Sequence, residues 1–558
     1  MEKKRVLTYF TVIFLLSMFA AQAVITVRAK SPTCDELAHH IPVGYVLLSK
    51  GDIKMDTSHP PLSRYIVALP LVLFMDINMP TEKTEWRKED RSEFGKAFFY
   101  KYNNDPHRII FLSRLSIVAV GVFCGLVLFL WAKALFGLKA ALLSLFFYAF
   151  SPNLLAHSSL ATTDLVATFF IFLSVFCFWG FVKDPMLKNL ILSGICLGLA
   201  QLSKYTALLL YPLFVLFLAF EFRGMAVAER RIFALKLLFI FSISVFVLWA
   251  GYGFDTSPLL DGAMRVGEKI EIINTIADKV FPFWNAELSS KLNSFLLRSP
   301  FPLGTHLLGI LGVIRHGYEG HGTFFCGEWS SQGSLLYFVL AFLIKTPIPA
   351  IIFIFVGFVV VVKKGMKRNA LFILVPVVMF FLTASFSKLQ LGLRYILPMY
   401  PFCMLLAGKG AETVLNKKIL KIMTIALMFW YAVSSLWICP DYLSYFNELI
   451  GGPKNGYKYL RDSNVDWGQD LPALAEYMRD NSIKKVKLFY FGTADPSSYG
   501  IKYELLSPEE FGVPGKGVYA ISVHKIDAVK WAGKYEPAAR LGNSIFIYDF
   551  QDNSPVTQ

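Results

Sequence analysis

The chain has 558 residues, of which 55% are hydrophobic and 17% charged, well below the roughly 25% charged residues of a soluble domain. Apolar runs of about 20 residues recur from one end to the other, which excludes a soluble globular protein and marks an integral membrane protein. The net charge of +15 would suit nucleic acid, but the basic residues fall mostly between apolar runs on one side, so topology accounts for them and no nucleic-acid partner is expected.

The first run is Val6 to Val27, behind Lys3, Lys4 and Arg5. Its length suits a span, although Ala21-Gln22-Ala23 has the small-residue form of a signal-peptide cleavage site. Further runs cover 108–130, 138–156, 163–182, 187–203, 205–221, 232–252, 346–362, 369–387, 392–412 and 419–438. With the N-terminus cytoplasmic, alternate connections carry Lys133 and Lys139; Lys183 and Lys188; Arg223, Arg230, Arg231 and Lys236; Lys363, Lys364, Lys367 and Arg368; and Lys417, Lys418 and Lys421. This positive-inside pattern predicts an α-helical polytopic protein of the cell membrane with about 11 transmembrane helices.

Residues 1–438 then form a transmembrane domain with outer loops at 28–107 and 253–345, and 439–558 form a small soluble extracytoplasmic α/β domain. In that tail Lys485–Gly492, Gly517–His524 and Ser544–Phe550 read as strands, being rich in β-branched and aromatic residues. Leu471–Arg479 and Ile526–Tyr535 read as helices between them. The seven cysteines show no paired metal-type spacing. Cys34, Cys326 and Cys439 fall on the outer side, where one disulfide among them is compatible with the topology.

The ionisable residues gather on the same outer side. Asp35 and Glu36 follow the first span, where neither can sit cheaply in lipid. His59-Pro60-Pro61-Leu62 holds a histidine on a rigid, extended turn, and Leu62–Phe74 suits an interfacial helix. Asp164 opens a span behind Thr162 and Thr163, and on local grounds an acid at a helix N-terminus is simply well placed. Lys204, Lys345 and Arg394 lie at outer connections, where a base either snorkels to headgroups or binds an anion beside a helix N-terminus. Carboxylates plus bases at one membrane face suggest a site for an anionic lipid headgroup, with a carboxylate for proton transfer. Asp35, Glu36 and Asp164 would suit a divalent metal such as Mg²⁺ or Mn²⁺, though their spacing does not demand one. His306, His316 and His321, with Glu319 and Glu328, offer an irregular loop set for metal or, at His321 and Glu328, acceptor contacts. Asp462, Asp466 and Asp470 read as a hydrogen-bonded turn around Asn464 and Gly468.

Asp35-Glu36, His59-Pro60-Pro61-Leu62 and Thr162-Thr163-Asp164, in that order, resemble the protein O-mannosyltransferase and aminoarabinose-transferase superfamily. Gly320 to Trp329 with Leu343-Ile344-Lys345-Thr346-Pro347, Tyr445-Phe446-Asn447-Glu448 and Asp462 to Asp470 resemble its bacterial and archaeal members. The resemblance implies a GT-C fold and transfer of one hexosyl or pentosyl unit from a polyprenyl-phosphate carrier to a protein, lipid or glycan acceptor, on the extracytoplasmic face. It implies that Asp35 is the catalytic base, with Glu36 and Asp164 as the further family acids. It places His59 and Lys204 by the donor phosphate, with His59 standing where some relatives have Lys. Lys345 and Arg394 complete the expected phosphate set, and inversion at the anomeric carbon is expected. A transporter or lipid-linked sugar flippase is the main rival, but it predicts mid-span charges and internal repeats. Arg114 is one of few such charges and no repeat is found. An oligosaccharyltransferase would carry a Trp-Trp-Asp element, which is not found.

Overall fold

The computed structural model describes residues 2–80, 91–102, 104–258, 299–363, 367–415 and 418–550. Part of the expected second outer loop, 259–298, and Lys364 and Lys417 of the basic connections lie outside them. The chain is a multi-pass helical membrane protein. Each of the apolar runs falls on a helix. Among the described residues seven helices are long and apolar enough to cross a membrane, and two sharply bent pairs raise the figure to nine.

Proline and short length set several of the other apolar runs apart from these seven. Ser151-Pro152 separates Leu138–Ala149 from Pro152–Ser158 with a 61° bend. Thr346 and Pro347 separate Tyr337–Lys345 from Ile348–Lys363 with a 113° bend. Leu187–Ser203 has only 17 residues. The run at 392–412 enters its helix at Tyr400, after two short turns over Leu393–Met399. Leu62–Phe74 is the expected short apolar helix. Asp105 caps Pro106–Phe136 by accepting from the Arg108 N–H at 3.0 Å.

Small residues draw the helices together, as lipid supplies no hydrophobic drive between them. A Cβ on Gly357 would lie 1.9 Å from the Leu406 carbonyl oxygen, and one on Gly410 would lie 2.1 Å from that of Phe353. Ile348–Lys363 therefore packs backbone to backbone on Tyr400–Leu415. Trp131 packs against Phe172 and Phe402.

After a hairpin of β1 (Thr323–Phe325) and β2 (Glu328–Ser330), the tail carries β3 (Val486–Phe489), β4 (Tyr503–Leu505), β5 (Val518–Ser522), β6 (Ala539–Leu541) and β7 (Ile545–Asp549). The sheet order is β4-β3-β5-β7-β6, parallel across β4, β3 and β5 and antiparallel thereafter. Strand alternation splits β5 between two cores. Val518 and Ala520 pack under the helix Leu471–Asp480, while Tyr519 and Ile521 join the core that runs on into the membrane helices. The helix expected at Ile526–Tyr535 is instead two short turns, Val523–Ala528 and Ala532–Lys534. All seven cysteines are free.

The tail is tied to the first outer loop by backbone hydrogen bonds. Ser31 N–H donates to Gln469 O at 2.9 Å and Cys34 N–H to Trp467 O at 3.2 Å. Lys30 is ion-paired to both Asp441 and Asp470. These contacts hold the loop that carries Asp35 against the tail.

Candidate functional site

A cavity of about 1110 Å³ opens between one end of the helices and the tail. Asp35, His59, Asp164, Lys204, Arg394 and His321 all line it. Residues scattered from position 35 to 394 are thus brought to one place.

Asp35 begins a wide helical turn, Glu36–His40, at the end of the first span. Its Oδ2 accepts from Arg394 Nη1 at 2.8 Å. Arg394 is fixed from two further directions. Its Nε donates to Leu391 O at 2.9 Å, and its guanidinium lies 4.4 Å from the centre of the Trp467 ring. Burial would raise the Asp35 carboxyl, but the Arg394 guanidinium bonded to it holds it below the ordinary carboxylate value. Asp35 is therefore an ionised carboxylate with a fixed cation, still partly open to the cavity.

The second pair is Asp164 and Lys204, with Nζ to Oδ1 at 2.6 Å. Thr162 caps nothing; its hydroxyl turns to Asp164 Oδ2 at 3.2 Å. Lys204 sits on extended backbone between Leu187–Ser203 and the turn Tyr205–Leu209, so its side chain leaves the helical register and enters the cavity. It also lies 5.2 Å from the centre of the Tyr395 ring.

A third group was not evident in the sequence. Asp56 is buried and accepts from Arg64 Nη2 at 2.5 Å and Arg91 Nη1 at 2.8 Å. Burial opposes its ionisation, but Arg64, His39 and Arg91 hold the carboxyl well below its usual value. Arg64 also donates to the carbonyls of His39 and His59, at 3.0 and 3.1 Å, and so ties the two histidine turns together. The signal that could have found it is Arg64 itself, a lone charge inside the apolar run Leu62–Phe74. The His40 and His59 rings lie 5.2 Å apart. Burial draws the His40 imidazole down to about 3 and His59 well below its usual value, so both are neutral near pH 7.

Three expected site residues stand elsewhere. Glu36 faces away from the cavity and is fully buried. Arg114 clamps it through Nε at 2.8 Å and Nη2 at 2.7 Å. The N–H groups of Thr33 and Ala161 donate to it at 2.8 and 2.6 Å. Both oxygens are used, so Glu36 is a bolt that joins Thr33 to the helix Pro106–Phe136 and to the connection at Ala161. Lys345 is likewise enclosed: Nζ donates to the carbonyls of Leu443, Tyr445 and Asn464 at 2.9, 3.2 and 2.7 Å. Helix Tyr337–Lys345 runs into a bend there, which turns the lysine to the tail instead of the cavity. Glu328 is exposed on β2 outside the cavity. His321 lines the cavity mouth with His316, their ring nitrogens 3.3 Å apart, while His306 is buried beside Tyr205 and Tyr252.

The suggested metal set Asp35, Glu36 and Asp164 is not gathered, because each carboxylate faces a different cation. Among the described residues no group of three or more His, Cys, Asp or Glu side chains is arranged to hold a metal ion. The tail completes the wall with Asp462, Trp467, Phe491 and His524.

The sequence profile of the dolichyl-phosphate-mannose-protein mannosyltransferase family matches residues 107–249, a stretch that includes Asp164 and Lys204. No curated protein matches the chain. Among solved structures, the archaeal oligosaccharyltransferase AglB from Archaeoglobus fulgidus, in complex with an inhibitory peptide and a dolichol-phosphate, is similar at 13% identity and a TM-score of 0.46. That likeness covers 84% of this chain and 58% of that one, so the chain spans little more than half its length. ArnT from Cupriavidus metallidurans bound to undecaprenyl phosphate is similar at 12% identity and a TM-score of 0.45, covering 96% of this chain and 97% of that one. The Pmt1-Pmt2 protein O-mannosyltransferase complex of S. cerevisiae, bound to the sugar donor, is similar at 17% identity and a TM-score of 0.31 over 44% of this chain and 33% of that one.

Proposed function

We propose that this chain is a membrane glycosyltransferase that moves one hexosyl or pentosyl unit from a polyprenyl-phosphate carrier to an acceptor hydroxyl or related group. The observation that carries the proposal is one cavity at the ends of apolar helices, lined by an ionised Asp35 held on Arg394 and by Lys204 held on Asp164. The family profile over 107–249 supports it, since the matched stretch includes both Asp164 and Lys204.

The chemistry follows from charge. As the bond between the anomeric carbon and the phosphate oxygen breaks, the phosphate leaves with the electron pair and gains negative charge. Arg394 and Lys204 stabilise that charge, and they do so in a site already arranged for it. The acceptor oxygen attacks the opposite face of the sugar, with inversion, and its proton passes to Asp35. General-base help of this kind is worth about 10²–10⁴ in rate. Asp164 keeps Lys204 in place, and Asp56 keeps the His39 and His59 turns in place through Arg64. Glu36 and Lys345 are scaffold in this scheme. The positive-inside pattern supports a cytoplasmic N-terminus, with the cavity and tail on the extracytoplasmic side.

The test is transfer by the purified full-length protein in lipid nanodiscs. The probes are undecaprenyl-phosphate mannose, glucose, galactose and arabinose, with membranes of the native host lacking this protein as the acceptor pool. Release of undecaprenyl phosphate with label passing to the membranes is expected for one donor. Transport of the intact lipid-linked sugar across liposomes, with no release from any donor, would favour a flippase and overturn the proposal.

A further inference from the structure

Four aspartates line the cavity, and three of them are neutralised. Asp35 faces Arg394, Asp164 faces Lys204, and Asp56 faces Arg64 and Arg91. Asp462 differs. Among the described residues its carboxylate makes no salt bridge; it takes the Ser463 N–H on Oδ1 at 2.5 Å, and the charges that act on it from across the cavity are Arg394, already bonded to Asp35, and His524. It also holds φ at +58°, a left-handed conformation uncommon for a residue other than glycine. Such backbone geometry persists only where the surroundings over-determine it, and it clusters at functional sites.

The surroundings here do so. Asp462 O accepts from the N–H groups of Val465 and Asp466 at 2.9 and 3.0 Å, which closes a tight turn. That turn is pinned to the stretch carrying Arg394. Ser463 Oγ donates to Leu391 O at 2.7 Å, and Leu393 N–H donates to Asn464 Oδ1 at 3.0 Å. The approach is so close that a Cβ on Gly392 would lie 2.3 Å from Ser463 Oγ. Asn464 Nδ2 reaches the Tyr337 hydroxyl at 2.9 Å, and the same hydroxyl accepts from the Gly392 N–H at 3.2 Å. The tail is thereby registered on the membrane helices at the point where Asp462 and Arg394 share the cavity.

We propose that Asp462 is the acceptor-binding carboxylate of this site. Resting on the glycosyl-transfer reading, the inference deepens it by naming what the acceptor must offer. The acceptor presents hydroxyl or ammonium hydrogen-bond donors beside its nucleophile, and Asp462 accepts from them, against the wall of Trp467, Phe491 and His524. The bonded cations of the cavity serve the donor phosphate; a carboxylate with no cation bonded to it keeps its oxygens for a group that donates. It also repels an acceptor whose nucleophile lies next to a phosphate or carboxylate.

Two substitutions keep the fold within reach. Asn tolerates the left-handed region, and Gly adopts it freely. Asp462→Asn and Asp462→Gly are assayed in the full-length protein for binding of the undecaprenyl-phosphate sugar that wild type uses and for transfer to host membranes. Donor affinity is expected to stay within about twofold of wild type, while transfer at low acceptor falls by about tenfold or more, the scale of a lost hydrogen bond to a charged group. Transfer recovers as the acceptor membranes are concentrated, and Asp462→Gly melts no lower than wild type. Transfer unchanged at low acceptor would overturn the inference, as would donor affinity falling in step with transfer. Wild type inert with every donor would instead overturn the glycosyl-transfer reading on which it rests.

Discussion

The cavity wall and the seam between helices and tail both carry charge away from water, and they use it differently. In the seam every group is saturated. Glu36 accepts from Arg114, Thr33 and Ala161, Lys345 donates to three carbonyls, and Lys30 sits between Asp441 and Asp470. In the wall capacity is left over: Asp35 engages Arg394 through one oxygen and stays partly open, and Asp462 makes no salt bridge among the described residues. Adjacent residues can therefore have opposite purposes. Asp35 points at solvent space and Glu36 into the scaffold, although both belong to one acidic motif.

The contrast is broken most severely at the seam. Arg114→Ala strands Glu36 without its cation, and removing one partner of a buried pair costs about 3–5 kcal/mol. The expected result is loss of monodisperse protein in detergent, read by size-exclusion chromatography and thermal unfolding. Lys345→Met leaves three carbonyls without their donor, at about 1–3 kcal/mol for each group left unsatisfied. Its melting temperature should fall, while the protein that remains folded binds polyprenyl phosphate as wild type does. Failure to bind in well-folded Lys345→Met protein would return Lys345 to the phosphate site.

The wall should behave the other way. Lys204→Met is expected to weaken binding of undecaprenyl phosphate by about tenfold or more, because a charge-assisted contact is lost. Its melting temperature should change less than that of Arg114→Ala. Equal binding of the lipid by Lys204→Met would remove Lys204 from the donor site.

How far the sequence reached is clear from the same residues. Apolar periodicity and basic connections placed the helices, and short motifs brought Asp35, His59, Asp164, Lys204 and Arg394 to one side. The motifs could not show which acid faces the cavity. Glu36 and Arg114 are 78 positions apart, and Lys345 meets Asn464 across 119. Arg114 was visible as a mid-span charge, which is costly unless partnered, but nothing local named its partner. Asp56 and Asp462 lie in loops without periodicity, and their surroundings exist only after folding. The bends at Ser151-Pro152 and Thr346-Pro347 were not legible, since an apolar run reads the same whether straight or broken.

The smallest expected effect concerns pH and the tail. Asp466 is buried behind the cavity, and burial pushes its carboxyl up to about 7, against the help of the Gly468 and His524 N–H groups. An unfolded aspartate titrates near about 3.9. Between those values the folded protein holds the extra proton, so stability should fall as pH rises from about 4 to about 7 and then level off. Asp466→Asn should flatten that slope in thermal unfolding measured across the range. A slope unchanged in Asp466→Asn would assign it to another group.

The most direct test of the central claim is single-turnover transfer by Asp35→Asn with the donor lipid that wild type uses. The amide keeps the shape of the side chain and removes its basicity. The account predicts a rate lower by about 10²–10⁴, with the melting temperature and donor affinity close to wild type. Near-wild-type turnover in well-folded Asp35→Asn protein would contradict it.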